Sequence, residues 1–262
     1  MVFVKCEMKR ITYIDKERTS NLLEFSEKLS NAATVDLAWS HYSDTLSQLG
    51  VKSAVYGFFP KTVGRSIASE VVAMSSHVEE FNKLYLDEGY IDHDPFAQYA
   101  LTEDYRPISW RDPRAKKYQT EKSDFFLNSM KEFGMAYGIT VPVRDASNWK
   151  LGGTGVCFDA ENDKEGDKIV ARATPLIESI AMLFHSRVQE GDMMRQFFPL
   201  SSREKECLLW VAAGLTNKEI AFKLSVADKT IELHIKNAAK RLNARNRAHA
   251  VSRALIYGVI EP

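Results

Sequence analysis

The segment from Leu200 to Pro262 constrains the fold more than any other part of the chain, because its helix starts and stops agree with one another. Ser201 with Glu204, and Thr216 with Glu219, are capping-box pairs in which a hydroxyl and a carboxylate each satisfy an orphan N–H of a helix's first turn. A short run, Leu215–Ala221 with Leu224 at its apolar end, leads into a turn around Ser225–Asp228. The next run sets Ile231, Ile235, Ala238 and Leu242 on one stripe and leaves Lys229, Thr230, Leu233, Lys236, Asn237 and Lys240 on the other side. A fourth helix is predicted from Asn246, a good N-cap, to Gly258, a good stop, with Val251, Ala254 and Leu255 on its apolar face. Short helix, tight turn and basic amphipathic helix, in that order, describe a helix-turn-helix that reads DNA better than a bundle whose basic residues are only solvated. On that reading Lys229, Thr230, Lys236, Asn237, Lys240 and Arg241 meet DNA from the third helix, and Thr216, Asn217 and Lys218 lie near phosphates.

Charge supports the same division. From Arg195 to Pro262 there are 12 Lys and Arg against 6 Asp and Glu, which leaves 23 basic and 29 acidic residues in the 194 before them. The overall charge of zero therefore hides two domains of opposite sign, and only the second suits a phosphate backbone. A chain of 262 residues has room for two cores. The expected layout is a first domain over 1–186, a linker over 187–199, where Gln189-Glu190-Gly191-Asp192 and Phe198-Pro199 interrupt the helical pattern, and the helix-turn-helix domain over 200–262. Cys6, Cys157 and Cys207 are too widely spaced to suggest a disulfide framework or a zinc site, which favours a reducing cytoplasm. No leader and no run of about 18 apolar residues is read, so no membrane association is expected.

The first domain alternates helical and extended patterns. Helices are predicted over 21–29, 34–49, 78–88, 95–101, 120–133 and 168–184, and strands over 53–59, 71–74, 107–110, 138–143 and 152–158. Several successive strands are close enough to form hairpins, and the helices cluster before and after them. The fold class is therefore α+β: an α/β/α sandwich with an antiparallel sheet, followed by an all-α domain of four helices. Gly152-Gly153-Thr154-Gly155 lacks the Lys-Ser/Thr of a phosphate loop and sits in a predicted strand, so its glycines signal close backbone approach.

As a whole the chain resembles the LuxR family of quorum-sensing transcription regulators, which join an acyl-homoserine-lactone-binding domain to a helix-turn-helix of the GerE type. The second domain carries the resemblance in Glu204, Leu208, Gly214 and Thr-Asn-Lys-Glu-Ile-Ala; the first carries it in Tyr85, Asp94-Pro95, Trp110 and Gly138, with Phe81 at a further motif position. The resemblance implies that Asp94 accepts the ligand amide N–H, Tyr85 donates its hydroxyl to the acyl carbonyl and Trp110 packs on the lactone ring. It also implies a homodimer, a palindromic double-stranded DNA site with half-sites about 34 Å apart, and a small-molecule autoinducer in place of any cofactor. Phe81 departs from the pattern: the family usually has there a Trp whose N–H bonds the lactone carbonyl, and Phe has no donor. His77, four residues earlier, is a candidate replacement donor, and Thr154 a further candidate facing the pocket. A non-lactone ligand, or action without ligand, stays open as the alternative.

Each site residue also has a plainer reading. Asp94 before Pro95 is what an N-cap and a first-turn Pro look like, and Phe81 with Tyr85 or Trp110 could simply be core. Asp92-His93-Asp94 could suggest acid–base or metal chemistry, but no nucleophile elbow and no histidine pair at metal-ligand helical spacing accompanies it. The chain is therefore expected not to be an enzyme and to bind no metal.

Overall fold

Among the described residues five strands build the sheet of the first domain: β1 (Val51–Pro60), β2 (Val72–Ser75), β3 (Ile108–Ser109), β4 (Tyr137–Arg144) and β5 (Lys150–Phe158). All neighbours pair antiparallel, in the order β2-β1-β5-β4-β3. The computed structural model describes residues 16–61, 70–102, 104–144 and 149–261. Behind the sheet lie α1 (Lys16–Ser30), α2 (Val35–Gln48) and α6 (Asp163–Val188); in front lie α3 (Glu79–Asp87), α4 (Pro95–Ala100) and α5 (Ser123–Glu132). The fold is the expected sandwich, and side-chain caps set the starts of α2, α4 and α6. Thr34 accepts from the N–H of Leu37 (3.1 Å) and Asn162 from that of Glu165 (3.1 Å).

Strand alternation divides the side chains between two cores. On β1, Ala54, Tyr56 and Phe58 turn back into the larger core, where Tyr42 stacks on Phe184 with ring centroids 4.2 Å apart. Val55, Gly57 and Phe59 turn forward. The front core is smaller, built on Phe81, Tyr90, Phe96, Tyr99, Ile108, Phe126 and Met130.

The second domain contains α8 (Ser202–Ala212), α9 (Asn217–Leu224), α10 (Asp228–Arg241) and α11 (Arg247–Ile256). Both predicted capping boxes are formed, at Ser201 and at Thr216. The turn after α9 is closed by Ser225 in the left-handed region (φ 53°). Cys207, Ile220, Ala221, Ile231 and Ile235 make the domain's own core.

Several elements differ from the sequence expectation; α1, for one, begins at Lys16 rather than at 21. α6 extends to 163–188, because Asn162 caps polar first turns that carry no apolar period. The segment expected as a linker, 187–199, contains α7 (Gly191–Phe197), whose Met193 and Met194 are fully buried; burial of two methionines and of Phe198 makes it part of the core. On α11 the buried side is Ala250, Arg253 and Ala254, followed by Tyr257, while Leu255 is 38% exposed. Of the expected face, Ala254 is buried and Val251 packs against the core, while the place given to Leu255 is taken by a buried arginine that hydropathy assigns to the surface.

Candidate functional site

Between the front of the sheet and α3, α4 and α5 lies a cavity of about 280 Å³, close to the lower end of small-molecule sites. Val55, Gly57 and Phe59 of β1, Gly153 and Gly155 of β5, and Thr140 of β4 form its floor; Val71 and Ala73 continue it towards the edge of the sheet. His77, Phe81 and Tyr85, then Asp94, Phe96 and Ala97, then Trp110 and finally Phe126 and Met130 form its walls. Glycine keeps the floor low: a Cβ on Gly155 would stand 3.2 Å from Val55 and 3.5 Å from the Trp110 indole. The described lining residues include one carboxylate, Asp94, and no Lys or Arg. Such a chamber suits an uncharged, largely apolar molecule with an N–H to offer, and disfavours an anion.

Asp94 holds two jobs at once. As N-cap of α4, its Oδ1 accepts the N–H groups of Phe96 (2.8 Å) and Ala97 (3.1 Å), and its Oδ2 accepts the Tyr85 hydroxyl (3.0 Å). Burial pushes its pKa up to about 6, against the lowering effect of those three bonds. Tyr85, buried beside this carboxylate, has its pKa raised well above 10 and is a neutral phenol. Trp110 donates its indole N–H to Thr140 Oγ1 (3.0 Å) and stacks on Phe96 at 5.9 Å. It lies against the bare α-carbon of Gly138, where a Cβ would come within 2.5 Å of the indole.

His77 and Phe81 stand together, ring edge to ring face at 5.5 Å. His77 Nδ1 is 2.7 Å from Ser53 Oγ, and desolvation lowers its pKa to about 4, so the imidazole is neutral at physiological pH. Thr154 also lines the cavity, but its hydroxyl bonds Tyr42 (2.7 Å) and the Val55 carbonyl (2.8 Å). It pairs with Tyr56 across the sheet, on the back face. The expectation that the Thr154 side chain faces the pocket is thus corrected: strand parity turns it away, and the glycines on either side of it form the floor. Ser53, Met130 and Phe126 were not singled out from the sequence. The two α5 residues read there as an ordinary amphipathic helix, and Ser53 carries no signal of its own.

On the second domain Lys218, Lys229, Lys236, Asn237 and Lys240 are exposed and Thr230 is half-buried. Leu233, 54% exposed, stands among the α10 residues at helical spacing. Thr216 is exposed, with its hydroxyl on Glu219 (2.7 Å), and Asn217 accepts from Arg247 (2.7 Å). Arg241 is exposed as well, with its guanidinium donating to the Pro199 carbonyl (2.5 Å) and pairing with the buried Glu204 carboxylate (3.3 Å).

The family model of the autoinducer binding domain matches residues 34–188, and that of the luxR family of bacterial regulatory proteins matches residues 199–254. The chain belongs to the LuxR-type regulators. It is 27% identical over 198 residues to the transcriptional activator LuxR of Aliivibrio fischeri, covering 74% of this chain and 77% of that protein. It is 25% identical over 222 residues to the activator AnoR of Acinetobacter nosocomialis, covering 82% and 89%. Escherichia coli SdiA superimposes with a TM-score of 0.55 at 19% identity, over 94% of this chain and 99% of that one, a likeness of fold. A LuxR-type chain of this make-up is a ligand-responsive transcription regulator and not an enzyme. Among the described residues no helix is long and apolar enough to cross a membrane.

Proposed function

We propose that this LuxR-type chain binds an N-acyl-homoserine lactone in the cavity of its first domain and, as a homodimer in the cytoplasm, presents two copies of α10 to a palindromic DNA site. The observation that carries the ligand reading is the buried carboxylate of Asp94, set between Tyr85 and Trp110 in a largely apolar chamber whose described lining has no Lys or Arg. A carboxylate accepts and cannot donate, which matches an amide N–H. The Tyr85 hydroxyl can turn from Asp94 to an acyl carbonyl, and Trp110 offers its face to a small ring. The acyl chain then runs over Gly57 and Gly153 towards Val71 and Ala73. Residues 1–186 carry the signal site and 200–262 the DNA-reading unit. Exposed apolar side chains on the back helices, Leu23 of α1 and Met182 of α6, supply surface for a second copy.

Phe81 favours a second reading. It offers no hydrogen to a lactone carbonyl, so the head group must find its donor at His77 or be something other than a lactone. SdiA, a neighbour in fold, has been solved in complex with octanoyl-rac-glycerol. Thermal melting of the chain against lactones of graded acyl length and against octanoyl-glycerol separates the two readings. A shift confined to the lactones supports the first, and a shift with octanoyl-glycerol alone replaces it with the second.

For DNA, Lys229, Lys236 and Lys240 meet phosphates or base edges, Thr230 and Asn237 read base edges, and Leu233 packs on a thymine methyl. Thr216, Asn217 and Lys218 approach the backbone at the start of α9. Lys236→Ala is expected to weaken operator binding about tenfold at fixed salt and, if its contact is to phosphate, to reduce the salt slope by about one. Fluorescence anisotropy at three salt concentrations checks this; unchanged affinity removes Lys236 from the contact set.

A further inference from the structure

The DNA-reading domain is docked on the reverse side of the cavity floor. Tyr257, at the end of α11, is fully buried, its ring stacked on Phe198 (4.3 Å, 23°) and edge-on to Phe58 of β1 (6.2 Å, 76°). Phe58 also meets Phe197 of α7 edge-on at 5.7 Å. Beside these rings the Arg253 guanidinium forms an ion pair with Glu70, each side chain only 3% exposed. Arg253 lies 5.0 Å from the centre of the Tyr257 ring and donates to the Tyr257 hydroxyl (3.2 Å), which in turn reaches towards the Glu70 carbonyl (3.5 Å).

The docking residues alternate with cavity residues along the same stretch of backbone. Phe58 sits between Gly57 and Phe59, and Glu70 precedes Val71; Gly57, Phe59 and Val71 line the cavity. The edge formed by β1 and the residues that lead into β2 therefore carries the signal chamber on its front and the seat of α11 on its back. A buried ion pair contributes little net attraction but is costly to break one-sidedly, so it selects a single register for the two surfaces it joins. Docking leaves Lys229, Lys236, Asn237 and Lys240 exposed, so it does not cover the DNA-reading face. What it fixes is the direction in which that face is presented.

We propose that the Glu70–Arg253 pair, with Tyr257 seated on Phe58 and Phe198, is the element that couples the cavity to the orientation of the DNA-reading domain. A ligand that packs on Phe59 and Val71 stabilises this edge in the position that receives α11, and a docked α11 holds the edge in the position that receives ligand. Linkage makes the effect reciprocal. The proposal rests on the reading of the cavity as the signal site, and it deepens that reading by naming how occupancy is transmitted.

The test is amide hydrogen exchange of residues 250–257 in the full chain, with N-octanoyl-homoserine lactone as the probe. In the unaltered protein a saturating probe is expected to slow exchange there about fivefold or more, although the cavity contains no residue of α11. The paired variant Glu70→Gln with Arg253→Met, which leaves no isolated buried charge, should lose that protection and bind the probe about fivefold more weakly. The exchanged pair, Glu70→Arg with Arg253→Glu, should restore both. A probe that binds without altering exchange in 250–257, or binds the neutral pair as tightly as the parent, overturns the proposal. A probe that fails to bind counts against the reading of the cavity, and the coupling is then decided without ligand. Val71→Ala, which alters the cavity wall, should speed exchange in 250–257; exchange that does not change overturns the coupling.

Discussion

Asp94→Asn is expected to make the ligand-free chain more stable while lowering its affinity for an acylated amide by at least about tenfold. The two effects have one origin. Burial holds the Asp94 carboxyl near a pKa of about 6, above its ordinary 3.8. Between those values the folded chain holds a proton that the unfolded chain has released, so Asp94's contribution makes the fold less stable as pH rises from about 4 to about 6. Above pH 6 the full cost of the buried carboxylate is present. Asn removes it and still caps α4, since Asn and Asp are nearly equal N-caps. The melting temperature of the variant should exceed that of the parent at pH 7.5 and approach it near pH 4. Binding moves the other way, because the amide N–H of the ligand loses a charged acceptor, a bond of about 1.5–3 kcal/mol or roughly ten- to hundredfold in affinity. Ligand affinity of the parent should fall as pH drops through 6. Melting curves at pH 4, 6 and 7.5, with calorimetric titration at the last two, check both signs; a destabilised Asp94→Asn chain would contradict the account of the site.

Gly138→Ala is expected to be one of the two costliest single-methyl additions at the site, the other being Gly152→Ala, whose Cβ would stand 2.4 Å from the Gly57 carbonyl. At Gly138 the added Cβ would lie 2.4 Å from the Val156 carbonyl and 2.5 Å from the Trp110 ring, both closer than side-chain carbons tolerate. Neither neighbour moves freely. The carbonyl belongs to β5, paired with β4 on one side and β1 on the other, and Trp110 is held between Phe96 and its bond to Thr140. Overpacking of this kind costs about 1–3 kcal/mol, more where backbone must shift, which for a domain of this size lowers the melting temperature by about 2–12 °C. The displaced indole also leaves the ligand wall incomplete. Gly155→Ala, whose Cβ would meet Val55 at 3.2 Å and Trp110 at 3.5 Å, should be milder in stability yet still reduce the cavity. Equal costs for Gly138→Ala and Gly155→Ala would mean that Trp110 is not fixed in the place described.

Much of this fold was readable because it is local. Capping boxes at Ser201 and Thr216, the apolar stripe of α10 and the turn at Ser225 depend on residues within a few positions of one another. The cavity residues Tyr85, Asp94, Trp110 and Gly138 were singled out only by their joint spacing within a family pattern. Taken alone, an N-cap aspartate, an aromatic on an amphipathic helix and a strand-end Trp are as well explained by packing, and Asp94 does in fact also cap α4. What the sequence concealed depends on contacts between distant segments. Nothing near Arg253 announces that Glu70 will neutralise it, nothing near Arg241 announces Glu204, and the parity that turns Thr154 towards Tyr42 follows from sheet register. Met193 and Met194 lie in the stretch expected as a linker and are core because α7 packs on the end of α6 and Gln196 bonds the Val35 N–H and the Ala33 carbonyl. Cys157 and Cys207 are buried thiols among the described residues, and Cys6 lies outside them.

The most direct measurement is a calorimetric titration of the full chain with N-octanoyl-homoserine lactone at pH 7.5, alongside Asp94→Ala. Saturable binding at one site per chain, lost in the variant while its melting remains cooperative, is the expected result. Binding that survives Asp94→Ala, or no binding of N-octanoyl-homoserine lactone and of its shorter and longer homologues titrated in the same way, would contradict the claim that the carboxylate between Tyr85 and Trp110 receives a lactone signal.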